Sequence, residues 1–443
     1  MNEPQNNPVT PFARTNFRGK EVAFGIKKKD RKGHIYLIGK TGTGKSTLIK
    51  NMIAYDIKQG YGAAIIDPHG DLAEEILGFI PEGRINDVIY FNPADMEYPI
   101  AFNPLEKVHP DYHHLVASGI IAVFKKIWPE FWGPRLEHIL RHSVLTLLEY
   151  PDSSLLDLPR LLTDKDFRRI VLASVTHQQV RDFWFNEFEK YSAWLKSEAI
   201  SPILNKVGQF LTSVPLRNII GQRENTFDLR KAMDEGKVLI INLAKGKIGE
   251  DNAALLGAML VTKIQLAALS RADIAEDDRR PFYLFVDEFH NFITQSFSDI
   301  LSESRKYGLN ITLAHQYIEQ LDEKIRAAVF GNVGTIISFR VGAEDAKYLA
   351  REFHPVFEES DIVNLPNYHI YLKLMIDGVS SMPFSAVTLP AYKQEASHAS
   401  EVVEASRMKY GMARKDVERD MIYRCFTQAS ERDNQGSLFS IGS

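Results

Sequence analysis

The run GKTGTGKST, residues 39 to 47, sets glycines, a lysine and two hydroxyls at the spacing G-x-x-x-x-G-K-[ST], with Gly39, Gly44, Lys45 and Ser46 at its fixed positions. Glycines let successive backbone N–H groups curl into an anion nest, and a helix that follows points its positive end at the same phosphates. Lys40, Thr41, Gly42 and Thr43 complete the cradle. Around ATP, Lys45 would reach the β- and γ-phosphates, the Ser46 hydroxyl would ligate Mg2+, and Thr47 would lie near the α-phosphate. Such a loop serves kinases and GTPases as well as ATPases, so it does not settle the reaction. A second constellation narrows it: FYLFVDEFHNF sets Asp287 and Glu288 side by side after an apolar run. Asp287 would hold Mg2+ through water, and Glu288 would polarise an attacking water. A nucleoside kinase has no use for that second carboxylate. Solvated acids also cap strands, but together with the loop the pair reads as ATP hydrolysis.

The stretch SESRKYGLNITLAHQ puts Arg305 before a strand and Gln316 just after it. A polar amide leaving a central strand can sense a γ-phosphate. An arginine on a flanking helix end can reach a neighbouring subunit's site, an effect worth roughly 10³ to 10⁵ in rate where it operates. A surface salt bridge for Arg305 and a satisfied buried amide for Gln316 are the bland alternatives, and Arg340, in TIISFRVGAEDA, competes for the arginine role. The histidines read as structural. His138 and His142 are four apart on a helix but lack a third ligand, and His113 and His114 are adjacent and cannot easily face one centre. His69, in DPHGD, ends a strand and stands near the nucleotide pocket.

These residues need a scaffold, and the sequence supplies one. Apolar runs predict strands at Ile35 to Ile38, Ala63 to Ile66 and Val88 to Phe91, with helices opening at Lys45 and Asp71 between them. That rhythm argues for a parallel sheet covered on both faces. From about Asn103 to Glu235 helical periodicity takes over: Leu136, Ile139, Leu140, Val144, Leu147 and Leu148 share one face, with similar stripes over Leu161 to Leu172 and Ile200 to Leu211. Lys125, Lys126 and Trp128 in this block read as fold-supporting. Strands return at Val238 to Asn242, Phe282 to Val286, Ile311 to Ala314, Thr335 to Phe339 and His369 to Lys373, with a long helix from about Asn252 to Arg271. The expected class is α/β, a P-loop sheet with helices on both faces and an inserted all-α domain. The expected division is a lead-in over 1–33, a motor domain over 34–102 and 236–390, the helical insertion over 103–235 and a tail over 391–443.

Composition bounds the rest. The chain has 443 residues, 44% of them apolar and 25% charged, with a net charge of −4. It is therefore no polycation that coats nucleic acid, although a locally basic channel stays open. One cysteine, Cys425, excludes an internal disulfide. Ala253 to Leu269 is the nearest approach to a membrane span, broken by Lys263 and Gln265, so the expectation is a soluble chain with no integral membrane segment. Residues 1 to 10 read as disordered. Residues 11 to 33 carry Arg14, Arg18, Lys20, Lys27, Lys28, Lys29, Arg31 and Lys32 against Glu21 and Asp30. Solvated charge on a β lead-in is the first reading, with nucleic acid or a neighbouring subunit as the other. Val417, Met421 and Cys425 mark a short amphipathic helix in the tail.

The order GKTGTGKST, IIDPHGD, VDEF, ESRKYGL with AHQ, and NVGTIISFRVGAEDA resembles the TraG/TraD-like coupling ATPases of conjugative DNA transfer by type IV secretion, within the FtsK and HerA class of DNA pumps. The resemblance covers residues 20 to 390, and its DPHGD and RKYG…AHQ segments are more specific than the loop. It implies a RecA-like domain, a homo-hexameric ring and DNA threaded through a central pore, with type IV secretion or relaxosome proteins as further partners. It assigns Lys45 and Ser46 to the nucleotide, Asp287 and Glu288 to metal and water, Gln316 to γ-phosphate sensing and Arg305 to a finger in trans. Lys245 and Lys247, in AKGKIG, become candidates for DNA phosphate contacts. Coupling proteins usually begin with transmembrane helices, a pattern this sequence departs from, so the expected location is the cytoplasm, free or docked peripherally at the inner membrane. Motors that move protein substrates, HerA-like processing of DNA ends and a slow nucleotide switch remain the alternatives.

Overall fold

The computed structural model describes residues 8–16, 19–105, 108–294, 297–393 and 397–423. They form two compact units. The first holds the described residues up to Phe91 together with Leu229–Gly246 and Leu256–Ser406; the second holds Asn92–Asp228, Lys247–Leu255 and the described residues from Arg407.

The first unit is built on one sheet. Its strands in chain order are β1 (Val9–Thr15), β2 (Ala23–Lys27), β3 (Ile35–Ile38), β4 (Gly62–Asp67), β5 (Val88–Phe91), β6 (Val238–Asn242), β7 (Phe282–Val286), β8 (Leu309–His315), β9 (Thr335–Ser338), β10 (His369–Lys373) and β13 (Phe384–Thr388), while β11 (Met375–Ile376) and β12 (Val379–Ser380) pair as a separate ribbon. The spatial order is β2-β1-β13-β10-β9-β3-β8-β7-β4-β6-β5. From β9 to β5 all neighbours are parallel, and β10, β13, β1 and β2 extend the sheet antiparallel. Every residue of β3, β4, β6, β7, β8 and β9 is buried, as a parallel sheet with both faces covered requires. Antiparallel β10 instead alternates buried and half-buried positions.

The expected parallel strands lie where the apolar runs put them, with β4 and β8 longer by a residue or two at each end. The helical block leaves from β5, the edge strand, so the interruption breaks no ladder. The antiparallel extension is the larger departure. β1 begins at Val9, inside the stretch expected to be disordered, and residues 1–7 of that stretch lie outside the described residues. Its basic lead-in is only partly solvated charge. Arg31 is buried, bonds Asp56 at 2.6 Å and lies 3.6 Å over the Tyr283 ring, so it ties the lead-in to the loop helix and to β7. Lys27 and Lys29 both pair with Asp377 at 2.7 Å, and Arg14 pairs with Glu21. Arg18 lies outside the described residues.

The helical segment Glu250–Asp273, made of helix Glu250–Leu269 and the 3-10 turn after it, is the one described segment long and apolar enough to cross a membrane. Its residues Leu256, Ala258, Met259, Leu260, Val261 and Ile264 are nevertheless buried.

The second unit is helical. The stripe from Leu136 to Leu148 is buried on helix Pro134–Glu149. The stripe over 161–172 is split between helices Asp157–Thr163 and Lys165–Ser174, because the Asp164 carboxylate caps the second helix by accepting from the N–H groups of Asp166 and Phe167. Trp128 is buried, stacked on Phe124 at 4.8 Å and on Phe210 at 5.4 Å. His138 bonds Glu187 at 3.0 Å, and His142 Nδ1 donates to its own helix at the His138 carbonyl. The expected tail is divided. Helix Ala399–Tyr410, which no sequence signal marked, starts in the first unit, and the helix over 414–423 buries Val417 in the second. Cys425 lies outside the described residues.

Candidate nucleotide site

Parallel strands bring their C-terminal ends to one edge of the sheet, and that edge carries the site. β3 lies between β8 and β9, with β7 beyond β8. The loop after β3, the pair after β7, Gln316 after β8 and Arg340 after β9 therefore converge, although they are spread over some 300 residues of sequence.

The loop is shaped by its glycines. Gly42 and Gly44 have φ of 77° and 114°, in the left-handed region that residues with a Cβ avoid. Gly39 is required by space, since a Cβ there would come within 2.6 Å of Phe339 Cβ. The cradle is closed by hydrogen bonds: Thr43 Oγ1 donates to the Lys40 carbonyl (2.7 Å), and the Lys40 N–H donates to the Arg340 carbonyl (2.9 Å). Helix Lys45–Lys58 follows directly, and Ser46 is exposed at its first turn, with Thr47 half-buried behind it.

Lys45 is buried and donates to Glu288 Oε1 at 3.2 Å. Gln316 Nε2 donates to the same oxygen at 2.8 Å, while Gln316 Oε1 accepts from Thr41 Oγ1 at 2.9 Å. Loop, carboxylate and amide thus form one network. Glu288 itself sits at φ 44°, ψ 48°, a conformation uncommon outside glycine. Beside it, burial pushes the Asp287 carboxyl up to about 6, with the Glu288 and Asp67 charges adding and Lys45 opposing. Asp287 Oδ1 accepts from the Glu288 N–H at 3.1 Å.

Among the described residues, neither Arg305, expected to act in a neighbouring subunit's site, nor His69 hydrogen-bonds to this network. Arg305 is exposed in the turn Ser304–Tyr307, before β8, whereas Gln316 follows it. The seven residues of β8 separate them by roughly 20 Å. Arg340 is the arginine placed beside the chain's own loop. His69 is exposed and contributes its N–H to Asp67 Oδ1 (2.8 Å).

Residues the sequence reading passed over complete the surroundings. Asp67 is buried at the end of β4, holding the turn into the next helix through the N–H groups of His69 and Ala73; the DPHGD motif was its signal. His290 Nδ1 stands 3.6 Å from Glu288 Oε2. His315 is buried against Tyr36 and Phe289, and burial beside Lys45 and His290 holds it neutral, well below the ordinary histidine range.

Comparison with known proteins agrees with this geometry. A family model described as the type IV secretion-system coupling protein DNA-binding domain matches residues 22–353. Among solved structures the chain is similar to plasmid coupling protein TrwB in complex with ADP and Mg2+, with 18% identity, a TM-score of 0.60, and coverage of 89% of this chain and 98% of that one. TrwB in complex with the non-hydrolysable ATP analogue ADPNP gives 17%, 0.60, and 88% and 96%. VirB4 of Thermoanaerobacter pseudethanolicus gives 14%, 0.54, and 87% and 98%. At these identities the likeness is one of fold, the RecA-like P-loop sheet. A comparison with curated protein sequences found no match. The family model spans β3 to β9 with the helical block between them, and the chain belongs to the type IV secretion-system coupling protein family.

Proposed function

We propose that this chain is an ATP-hydrolysing motor that translocates DNA in conjugative transfer. The observation that carries the reading is the network joining Lys45, Glu288, Gln316 and Thr41 at one sheet edge, in a chain of the coupling-protein family. In this reading the sheet unit is the motor domain and the helical unit its insertion.

The site fits magnesium. Asp287 and Ser46 offer hard oxygen donors, and the buried Asp287 carboxyl lies among other carboxylates, where added positive charge is favoured. Among the described residues no cluster of three or more His, Cys, Asp or Glu could hold a metal. This agrees with an ion that takes one or two protein ligands, keeps several waters and relies on substrate phosphates. When bound, the ion would neutralise charge developing on the phosphates. The backbone N–H groups from Gly39 to Thr47 would cradle the phosphate chain. Lys45, released from Glu288, would turn to the β- and γ-phosphates. The freed Glu288 carboxylate would orient the attacking water and accept its proton. Gln316, hydrogen-bonded to both Glu288 and Thr41, would report whether a γ-phosphate is present.

Arg305 would act in a neighbouring subunit's site, which requires a ring; a homo-hexamer is the form this reading takes. Lys245, at the start of the short helix Lys245–Ile248 after β6, and exposed Lys247 would contact DNA phosphates in the pore, and type IV secretion proteins would be further partners.

The test is steady-state ATP hydrolysis with and without single- and double-stranded DNA, at low salt and several protein concentrations. Stimulation by DNA that rises with protein concentration is expected. A rate indifferent to both would replace this reading with a protein-directed secretion ATPase or a nucleotide switch.

A further inference from the structure

Strand order dictates which side of the loop each end of a bound nucleotide takes. The carboxylates and Gln316 stand on the β8 and β7 side of β3, so the terminal phosphate is drawn to that side. The nucleoside must then leave the loop towards β9 and β10. β10 runs antiparallel to β9, so the start of one and the end of the other share an edge. Arg340, Asn367 and Tyr368 stand there.

Their backbone is fixed to the loop. The Tyr368 N–H donates to the Thr43 carbonyl at 2.8 Å, and its own carbonyl accepts the Thr388 N–H at 2.8 Å. The Arg340 carbonyl accepts from Lys40, and its Nη2 donates to Asn367 Oδ1 at 3.0 Å. The Tyr368 ring lies against the loop: a Cβ built on Gly44 would come within 2.8 Å of Tyr368 Cδ1.

Despite this anchorage the residue is 50% exposed. Its φ is 66°, a genuine outlier for a bulky side chain, and such conformations cluster at ligand clamps. Among the described residues no hydrogen bond joins its hydroxyl and no ring packs on its face. The ring is held open to solvent, at the mouth of a phosphate loop, on the side where a base must emerge.

We infer that Tyr368 is the platform on which the purine base of the nucleotide stacks, with Arg340 and Asn367 forming a polar edge beside it. Every base has a π-face, and stacking on an aromatic ring is favourable whatever the base's hydrogen-bonding pattern. The inference rests on the ATPase reading above, and the test separates the two.

The experiment is calorimetric titration of wild type, Tyr368→Asn and Tyr368→Phe with a non-hydrolysable ATP analogue and, separately, with inorganic tripolyphosphate, both with magnesium. Asparagine tolerates the left-handed backbone, so that variant removes the ring without adding strain. Tyr368→Asn should bind the ATP analogue about 10-fold more weakly, within the range of base stacking, while its affinity for tripolyphosphate stays at the wild-type value. Tyr368→Phe should restore the ATP affinity. Equal losses for both ligands would mean that the ring only shapes the loop, and no loss for ATP would mean that the base lies elsewhere; either overturns the inference. A wild type that binds tripolyphosphate but not ATP would overturn it too, whereas one that binds neither would bring down the ATPase reading first.

Discussion

Glu288 is the residue on which the site turns, because it makes two commitments at once. One carboxylate oxygen carries both Lys45 and Gln316, and both members of the Lys45–Glu288 pair are nearly buried. Removing one partner of such a pair leaves a charge without compensation, which typically costs about 3–5 kcal/mol. Lys45→Ala should therefore do more than abolish nucleotide binding: it should lower the urea midpoint, and Glu288→Gln in the same chain should recover part of the loss. Equal midpoints for the single and double variants would show that the pair contributes nothing. Alone, Glu288→Gln should bind ATP and hydrolyse it at least about 100-fold more slowly, the scale of a lost general base. His34 makes a separate, pH-dependent contribution. It is buried; its Nδ1 accepts the Ile311 N–H at 3.1 Å and its Nε2 donates to the Leu301 carbonyl at 3.2 Å. Burial lowers its pKa to about 4, with Arg305 pushing the same way. The unfolded chain, with an ordinary histidine near 6.5, therefore takes up the proton first as pH falls. Its stability is fully present above pH 6.5 and is lost towards pH 4, a loss of about 3 kcal/mol across that window. Urea unfolding of wild type and His34→Gln at pH 7 and pH 5 should show a variant that is weaker at pH 7 but falls less on acidification. Parallel declines would assign the pH dependence to other groups.

At the scale of elements, helix Glu250–Leu269 shows how composition and position differ. With the 3-10 turn after it, it passes the length and hydropathy tests for a membrane span, yet its apolar residues are used inside the protein. Gly257 marks the tightest contact: a Cβ there would come within 2.2 Å of the Phe292 ring and 2.8 Å of Leu243 Cδ1. Gly257→Val should therefore destabilise by about 1–3 kcal/mol through overpacking, against the usual gain when an interior helical glycine is replaced. An unchanged or raised urea midpoint would mean that this face of the helix is not packed as described. The same contrast explains what could be read in advance. The loop, β3, β4, β7 and the Asp287–Glu288 pair were legible because their signals are local: an apolar run, then a glycine or an acid. The pairing of the antiparallel flank was not, since β1 meets β13 only across nearly the whole length of the chain, and nothing within either segment names its partner. Gln316 was legible as a polar residue leaving a strand, but its bond to Glu288 was not, because it depends on β8 lying beside β7. Tyr368 carried no signal at all. Its place at the loop follows from β10 reversing direction, and its positive φ cannot be read from the residue type.

At the scale of the whole molecule, the two arginines make opposite demands on assembly. Arg340 is joined through its backbone to the chain's own loop at Lys40. Arg305 is exposed at the far end of β8, so a contribution from it to catalysis can come only from a second subunit. Mixed assemblies distinguish these cases. Each site in a ring would take Glu288 from one subunit and Arg305 from the next. In an equal mixture of Arg305→Ala and Glu288→Gln subunits, about a quarter of the interfaces would pair an intact Glu288 with an intact Arg305, as heterologous contacts in a closed ring allow. Neither variant alone should turn over at more than background, and ATP hydrolysis should reappear on mixing, towards a quarter of the wild-type rate. Mixing Arg340→Ala with Glu288→Gln supplies the contrast. If Arg340 works within its own chain, every subunit of that mixture carries a broken site, and no rate returns. Recovery in the first mixture and none in the second would assign the transition-state arginine to Arg305 and require the ring. The reverse pattern would make Arg340 the residue supplied across the interface, and a wild-type rate for Arg305→Ala alone would remove Arg305 from the chemistry.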